Sequence, residues 1–349
     1  MVSDTPYQVF NAIRLARYNE ELKGARIDLF IGHQFTDSVK LAERVRQLAL
    51  FDNVYDFYPE KNVRKTQRLA ETVFPAYGIR KLMHKKPDEK FNGYDEIFLT
   101  LISEMSLCLA LYNQKARVFY YDDGIGSYSR RMKPVSIIPR VHQAIYRALG
   151  RSLKKINVCG LYLNNPDMYN SDDFDPCEIH KIDPEERCEF AYIRSVFDVG
   201  NDALYRQYRY IYLTDPDFRD DYEICNTINR ICKDVLIRPH PRHVDRSQYE
   251  GKIDQSPGMW ELLALECIGD DHVLISGYST AQLTPFILFG KEPLLIFTYR
   301  LHLSKLQGEY LEGIESMIEL LKNKYSDKSK IIVVNDYQEL KTVMKKFES

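Results

Sequence analysis

The chain lacks any run approaching the roughly 18 apolar residues of a membrane-spanning helix, and no stretch has the layout of a secretory leader. Paired cysteines are missing as well. The seven cysteines, at positions 108, 159, 177, 188, 225, 232 and 267, include no CxxC spacing and are odd in number. That excludes a disulfide framework or a zinc site as the organising feature and predicts reduced thiols in the cytoplasm. A net charge of −2 provides no general positive excess, which argues against wholesale nucleic-acid binding. No internal repeat or low-complexity tract is present. Tyrosine, by contrast, is abundant: 25 residues suit surfaces that stack on sugars or bases, although tyrosine is also ordinary core material.

A length of 349 residues predicts two domains of ordinary size, and 44% hydrophobic with 28% charged residues describes a soluble globular chain. Short apolar runs alternate with helical patterns throughout. In the first half, strands are expected at 26–31, 54–57, 96–101 and 116–121, with helices at 36–48 and 104–112. In the second half the strands are 210–213, 234–237, 272–275, 293–297 and 330–334. The helices there are 222–232, 259–267, 280–288, 303–322 and 338–347. This alternation is the mark of βαβ units and parallel sheets. The Asn-, Asp- and Pro-rich stretch 161–185 reads as a connection. The expected architecture is therefore α/β with two Rossmann-like domains, 1–160 and 186–349, facing each other across a cleft. Thr5-Pro6 is a good helix start, but hardly any strand precedes it. A start upstream of Met1 or a trimmed one would explain that.

Residues 124–155 contain no acidic side chain, while Arg130, Arg131, Lys133, Arg140, Arg147, Arg151, Lys154 and Lys155 are basic. Apolar residues are interleaved with them. The segment is either a helix with a solvated basic face, a peripheral contact with an anionic membrane surface, or a docking face for an acidic glycan.

Three strand ends carry chemistry. In Val235-Leu-Ile-Arg-Pro-His-Pro-Arg-His243 a buried strand breaks at Pro239. His240 stands between two prolines, each of which fixes its own φ and extends the residue before it. A stiff imidazole results, at the carboxyl end of a strand where open α/β sheets bind ligands. Arg238, Arg242 and His243 add positive charge suited to a phosphate. In Tyr120-Tyr-Asp-Asp-Gly-Ile-Gly-Ser-Tyr128 the strand ends in two carboxylates followed by a glycine turn. One of them can take a proton from an attacking hydroxyl. In Val273-Leu-Ile-Ser-Gly-Tyr-Ser-Thr-Ala281 a strand feeds Gly277 and then Ser279 and Thr280, at a helix start whose amides favour an anion. A fourth loop, Leu213-Thr-Asp-Pro-Asp217, offers Asp215 and Asp217. Taken singly, each is also what a turn or a helix cap would use. No supporting His or Glu cluster accompanies Asp122 and Asp123, so no metal is expected there.

The order Asp122-Asp123-Gly124, His240-Pro241, Ser279-Thr280 resembles the three short motifs of bacterial sialyltransferases. With the Thr5-Pro6-Tyr7-Gln8 opening, the chain looks most similar to the lipooligosaccharide and capsule sialyltransferases, glycosyltransferase family 52. The resemblance implies a GT-B fold, CMP-sialic acid as donor substrate, inversion at the anomeric carbon, and neither a metal nor a separate cofactor. It implies that His240 is general acid toward departing CMP, and that Gly277, Tyr278, Ser279, Thr280, Pro241 and Arg242 hold the donor. Asp123, or Asp215 or Asp217 of the later loop, would be the base. Thr5, Gln8, Asp122 and Gly124 would lie on the side of the glycan acceptor, a galactose-type sugar. A homodimer fits the family. Other donors, CDP-glycerol or UDP-sugars, and a non-catalytic glycan-binding role in capsule assembly remain alternatives.

Overall fold

The computed structural model describes residues 1–35, 37–59, 71, 73–84, 89–100, 103–129, 144–145, 147–150, 157–182, 187–198, 200, 202–216, 218, 220–240, 246–255, 258–302 and 308–348. Two units divide the chain, Met1–His180 and Lys181–Ser349.

Among the described residues of the first unit every strand pairs in parallel. One sheet has the order β1 (Val2–Ser3), β2 (Asp28–Gly32), β3 (Asn53–Phe57). The other has β4 (Glu96–Leu99), β5 (Arg117–Tyr121), β6 (Asn157–Leu163), β7 (Cys177–Glu178). β1 lies beside β4, and Tyr121 of β5 reaches across, its hydroxyl 2.8 Å from Ser3 Oγ. The helices are α1 (Pro6–Tyr18), α2 (Ser38–Gln47), α3 (Pro75–Leu82), α4 (Glu104–Tyr112) and the short α5 (Gly126–Ser129).

Two expectations need correction here. A strand does precede Thr5, but it is only two residues long and exists by pairing with Phe30 and Ile31. The stretch 161–185 is not simply a connection. Its first residues belong to β6, and Cys177–Glu178 adds an edge strand to the first unit's sheet. Two-residue strands carry no apolar run of their own, so periodicity misses them.

Among the described residues the strands of the second unit form one six-stranded parallel sheet. Its order is β10 (Lys252–Ile253), β9 (Val235–Arg238), β8 (Tyr210–Leu213), β11 (Val273–Ser276), β12 (Leu294–Phe297), β13 (Ile331–Val333). Renumbered within the unit this is 3-2-1-4-5-6, the Rossmann order, and the strand order reverses between β8 and β11. β8, β9 and β11 are buried along their whole lengths, as apolar parallel strands covered on both faces must be. Around the sheet run α6 (Arg187–Val196), α7 (Asp202–Gln207), α8 (Asp221–Ile231), α9 (Trp260–Cys267), α10 (Thr280–Phe289), α11 (Glu309–Lys324) and α12 (Tyr337–Glu348). One core cluster joins Tyr212, Ile224, Val235, Ile275, Ile296 and Met344. Both units are thus Rossmann-like α/β structures. Among the described residues no helix is long and apolar enough to cross a membrane.

Candidate functional site

The register of the second sheet decides which loops meet. Leu213 pairs with Arg238 on one side, and Tyr212 pairs with Ile275 on the other. The loops after β9, β8 and β11 therefore leave the sheet side by side, at the point where the strand order reverses. Thr214 N donates to Arg238 O (3.1 Å), and His240 N donates to Thr214 Oγ1 (2.8 Å). That second bond ties the half-buried His240 to the tip of β8. Asp215, nearly buried, follows directly. Asp217, Pro241, Arg242 and His243 lie outside the described residues.

On the other flank of β8, Ser279 is the N-cap of α10 and accepts from Ala281 N (3.3 Å). A capping hydroxyl still has its own proton to donate, and Thr280 opens the helix beside it. The ten-residue α10 ends on Gly290 at φ +64, a left-handed cap that glycine tolerates without strain. Tyr278 is half-buried, its ring 6.3 Å from that of Phe297. Gly277 has a clear reason. A Cβ there would stand 2.6 Å from the Phe218 ring and 3.6 Å from Asp215 Oδ2. The β8 loop presses against this residue, and Phe218 in turn stacks on His302 at 4.2 Å. The glycine thus serves the approach of one loop to another. With strands about 4.8 Å apart, the His240 and Ser279 loops are rooted about 10 Å apart, on either side of Asp215.

Arg238 corrects the expected cationic rim. Its side chain is buried. Nη1 donates to Tyr205 Oη (2.7 Å) and stands 3.7 Å from Asp254, and the guanidinium lies over the Trp260 ring at 5.1 Å. As the last residue of β9 it points into the unit, while His240 sits two residues beyond the strand.

Behind the β8 loop lies a carboxylate that the sequence did not flag. Asp221 accepts from Tyr212 Oη (2.7 Å), Tyr249 Oη (2.9 Å) and Asp215 N (3.1 Å). Burial pushes its pKa up from 3.8 to about 7, the hydrogen bonds opposing this. The folded state therefore holds a proton that the unfolded chain releases between about pH 4 and 7. This contribution to stability is full below about pH 4 and is lost as pH rises through 7. Asp221→Asn should remove that slope, so that its melting temperature gains on the wild type from pH 5 to pH 8. A constant difference between the two proteins across that range would exclude the effect.

The first unit gathers a second polar cluster at the carboxyl ends of β1, β2 and β5. Asp122 is fully buried. Its Oδ1 accepts from Gly124 N (2.8 Å), and its Oδ2 accepts from Tyr128 Oη and from the side-chain amide of Asn164 (2.9 Å). Burial raises its pKa. Asp122 therefore holds the loop together, while Gly124, at φ +101, makes the turn. Asp123 is half-buried, and Gln8 Nε2 donates to its Oδ1. Thr5 caps α1 by accepting from Gln8 N (3.3 Å). Gln8 Oε1 takes the N–H of Asp4, which leaves its amide facing Asp123. Asp4 itself, buried and with a raised pKa, accepts from Gln34 Nε2 (2.8 Å). Asp4 and Gln34 were missed because neither stands in a motif; only the parallel pairing of β1 with β2 joins them.

Among the described residues, Asp202, Glu266 and Cys267, on α7 and α9, bring possible metal-ligand atoms within 4.8 Å of one another. Glu266 is already paired with Arg194 at 2.5 Å. Of the basic segment 130–155, all but 144–145 and 147–150 lies outside the described residues.

The fold and site thus define a protein of two Rossmann-like units, with polar loops clustered at the carboxyl ends of both sets of strands. No family model matches the chain, and no curated protein matches it by sequence. Among solved structures it is similar to Arabidopsis thaliana UGT89C1 complexed with UDP-L-rhamnose, with a TM-score of 0.46 and 10% identity over 97% of this chain and 85% of that one. It is also similar to the spinosyn forosaminyltransferase SpnP, with a TM-score of 0.45 and 10% identity over 99% and 94% of the two chains. A UDP-N-acetylglucosamine 2-epimerase gives 0.40 and 11% over 91% and 90%.

Proposed function

We propose that the protein is a glycosyltransferase of the GT-B type that transfers sialic acid from CMP-sialic acid, with inversion and without a metal. The acceptor is a hydroxyl of a galactose-type sugar on a bacterial surface glycan. The observation that carries this reading is the adjacency of three loops at the reversal point of the second sheet. One bears an imidazole, one a carboxylate, and one a hydroxyl-lined helix start.

In the proposed reaction the acceptor oxygen attacks C2 of sialic acid and forms the new glycosidic bond. The bond from C2 to the phosphate oxygen breaks, and its electron pair leaves with CMP. A carboxylate takes the acceptor proton. Asp215 is favoured for this role, because its loop is bonded to His240 and packed on Gly277 in one unit. Asp217 and Asp123 are the alternatives. His240 donates a proton or a hydrogen bond to the phosphate as charge gathers there, and the amides of the first turn of α10, with the Ser279 and Thr280 hydroxyls, stabilise that charge.

Release of free nucleotide from CMP-sialic acid, CDP-glycerol and UDP-sugars tests the donor. Turnover of CMP-sialic acid alone is expected. Turnover of another donor would reassign it, and nucleotide binding without turnover would point to a non-catalytic subunit. Asp215→Asn, Asp217→Asn and Asp123→Asn in the same assay should show one loss of about 10²–10⁴-fold among milder ones. Three mild losses would remove a side-chain base from the mechanism.

A further inference from the structure

Three of the large hydrophobic side chains most open to solvent lie together on the first unit. Tyr58 is 42% exposed, Phe74 59% and Tyr77 51%. Phe74 is the N-cap of α3, and Tyr77 lies in its first turn. The carboxyl end of β3 is tied to the other end of that helix, Tyr58 N donating to Leu82 O (2.8 Å). Basic groups accompany the aromatics. Tyr77, Arg80, Lys81 and His84 line an open pocket of about 530 Å³. Lys81 is neutralised by Glu71 at 2.6 Å, which leaves Arg80 and His84 as the exposed basic groups of the pocket. His84 holds φ +53, a left-handed conformation that strains a side-chain-bearing residue and that glycine adopts freely. The imidazole at this position lies beside the Tyr58 ring, tilted to it, with centroids 5.1 Å apart.

The patch is continuous with the acidic cluster described above. The Tyr58 ring also stacks on His33 at 4.7 Å, just past β2. His33 is fixed by Ser38 Oγ (2.8 Å) and Asp56 (3.0 Å). One residue on, Gln34 donates to Asp4, and Gln8 then joins Asp4 to Asp123. A chain of contacts, buried at Asp4, Gln8 and the His33 side chain, thus links the carboxyl ends of β5, β1, β2 and β3. From β1 to β3 it covers two strand spacings, about 10 Å, more than one sugar ring spans.

We propose that this path is an extended acceptor subsite for an anionic oligosaccharide. One end would lie toward Asp123, one of the alternative bases, with more distal, negatively charged residues on Tyr77 beside Arg80. A flat aromatic face takes the apolar face of a sugar, and the exposed Arg80 guanidinium favours a carboxylate-bearing chain. The inference rests on the reading of the first unit as the acceptor side. It goes further by giving the acceptor a length and a charge.

The test uses the full chain and three probes: hexamers of a carboxylate-bearing sugar, neutral hexamers of galactose, and monomeric galactoside. Isothermal titration measures binding, and transfer from CMP-sialic acid measures KM and kcat. Tyr77→Ala with Arg80→Ala changes only exposed side chains. It should weaken binding and raise KM for the anionic hexamer about tenfold, with kcat and the KM for the monomer unchanged. Equal KM for anionic and neutral hexamers, or no response to the double variant, overturns the proposal. If no donor is turned over, the transferase reading fails. Calorimetry then decides the subsite alone, with loss of anionic-hexamer binding in the variant supporting it and absence of binding overturning it. Binding to phosphatidylserine vesicles but to no glycan, abolished by the same variant, assigns the patch to a membrane surface and also overturns it.

Discussion

His240→Ala should lower kcat for CMP release by about 10²–10⁴-fold, the usual worth of a general acid, while leaving the fold intact. The two consequences separate cleanly at this residue. The main chain of His240 is held by its own N–H on Thr214 Oγ1, a bond that alanine keeps. Pro239 fixes the arm from the strand side. Only the imidazole is lost, the group proposed above to donate to the leaving phosphate. Added imidazole should restore part of the rate, which a purely structural role would not allow. Turnover near the wild-type value would remove His240 from the reaction. The melting temperature, measured alongside, should move by no more than an ordinary surface substitution moves it.

Arg238→Ala, two residues earlier, should do the opposite and cost about 3–5 kcal/mol of stability. The guanidinium is buried with Asp254, and Tyr205 bridges them, accepting from Arg238 and donating to Asp254 Oδ2 (2.6 Å). Removing the cation leaves a buried carboxylate facing a cavity against the Trp260 ring. Urea unfolding would register the loss as a lower midpoint. Arg238→Met, which keeps the apolar stem, combined with Asp254→Asn, which removes the stranded charge, should recover much of it. If Arg238→Ala unfolds at the wild-type urea concentration, the pair contributes nothing and Arg238 has another role.

The contrast between these neighbours shows where reading residues in order stops. Apolar runs of four or five residues marked the other strands of four residues or more but not the seven-residue β6, and β8 and α4 begin and end where the periodicity puts them. Such strands are buried on both faces and tolerate little else. The charge on Arg238 looked like part of a phosphate rim because sequence counts charges without saying which way a side chain turns. By spacing alone either Asp122 or Asp123 could take a proton, and only the family resemblance preferred Asp123. Their roles diverge because Tyr128 and Asn164 enclose the first, while Gln8, 115 positions away, reaches only the second. Gly277 read as room for a ligand, but the neighbouring loop fills that room with Phe218. The helices α6 and α7 and the edge strand β10 carried too weak a pattern to be read at all.

By itself the sequence determined the alternation of strands and helices, and it placed an imidazole, two carboxylate-bearing loops and a hydroxyl-lined helix start each just beyond a strand. Those are local matters, set by apolar period, proline stiffness and helix capping over a few residues. The tertiary structure alone decided that β8 separates β9 from β11, so that three of those loops become neighbours, and that Arg238, Asp122 and Asp221 are buried. The reason is that parallel pairing joins residues tens of positions apart. Its order is settled by how both faces of a whole sheet are covered, which no short window of sequence contains.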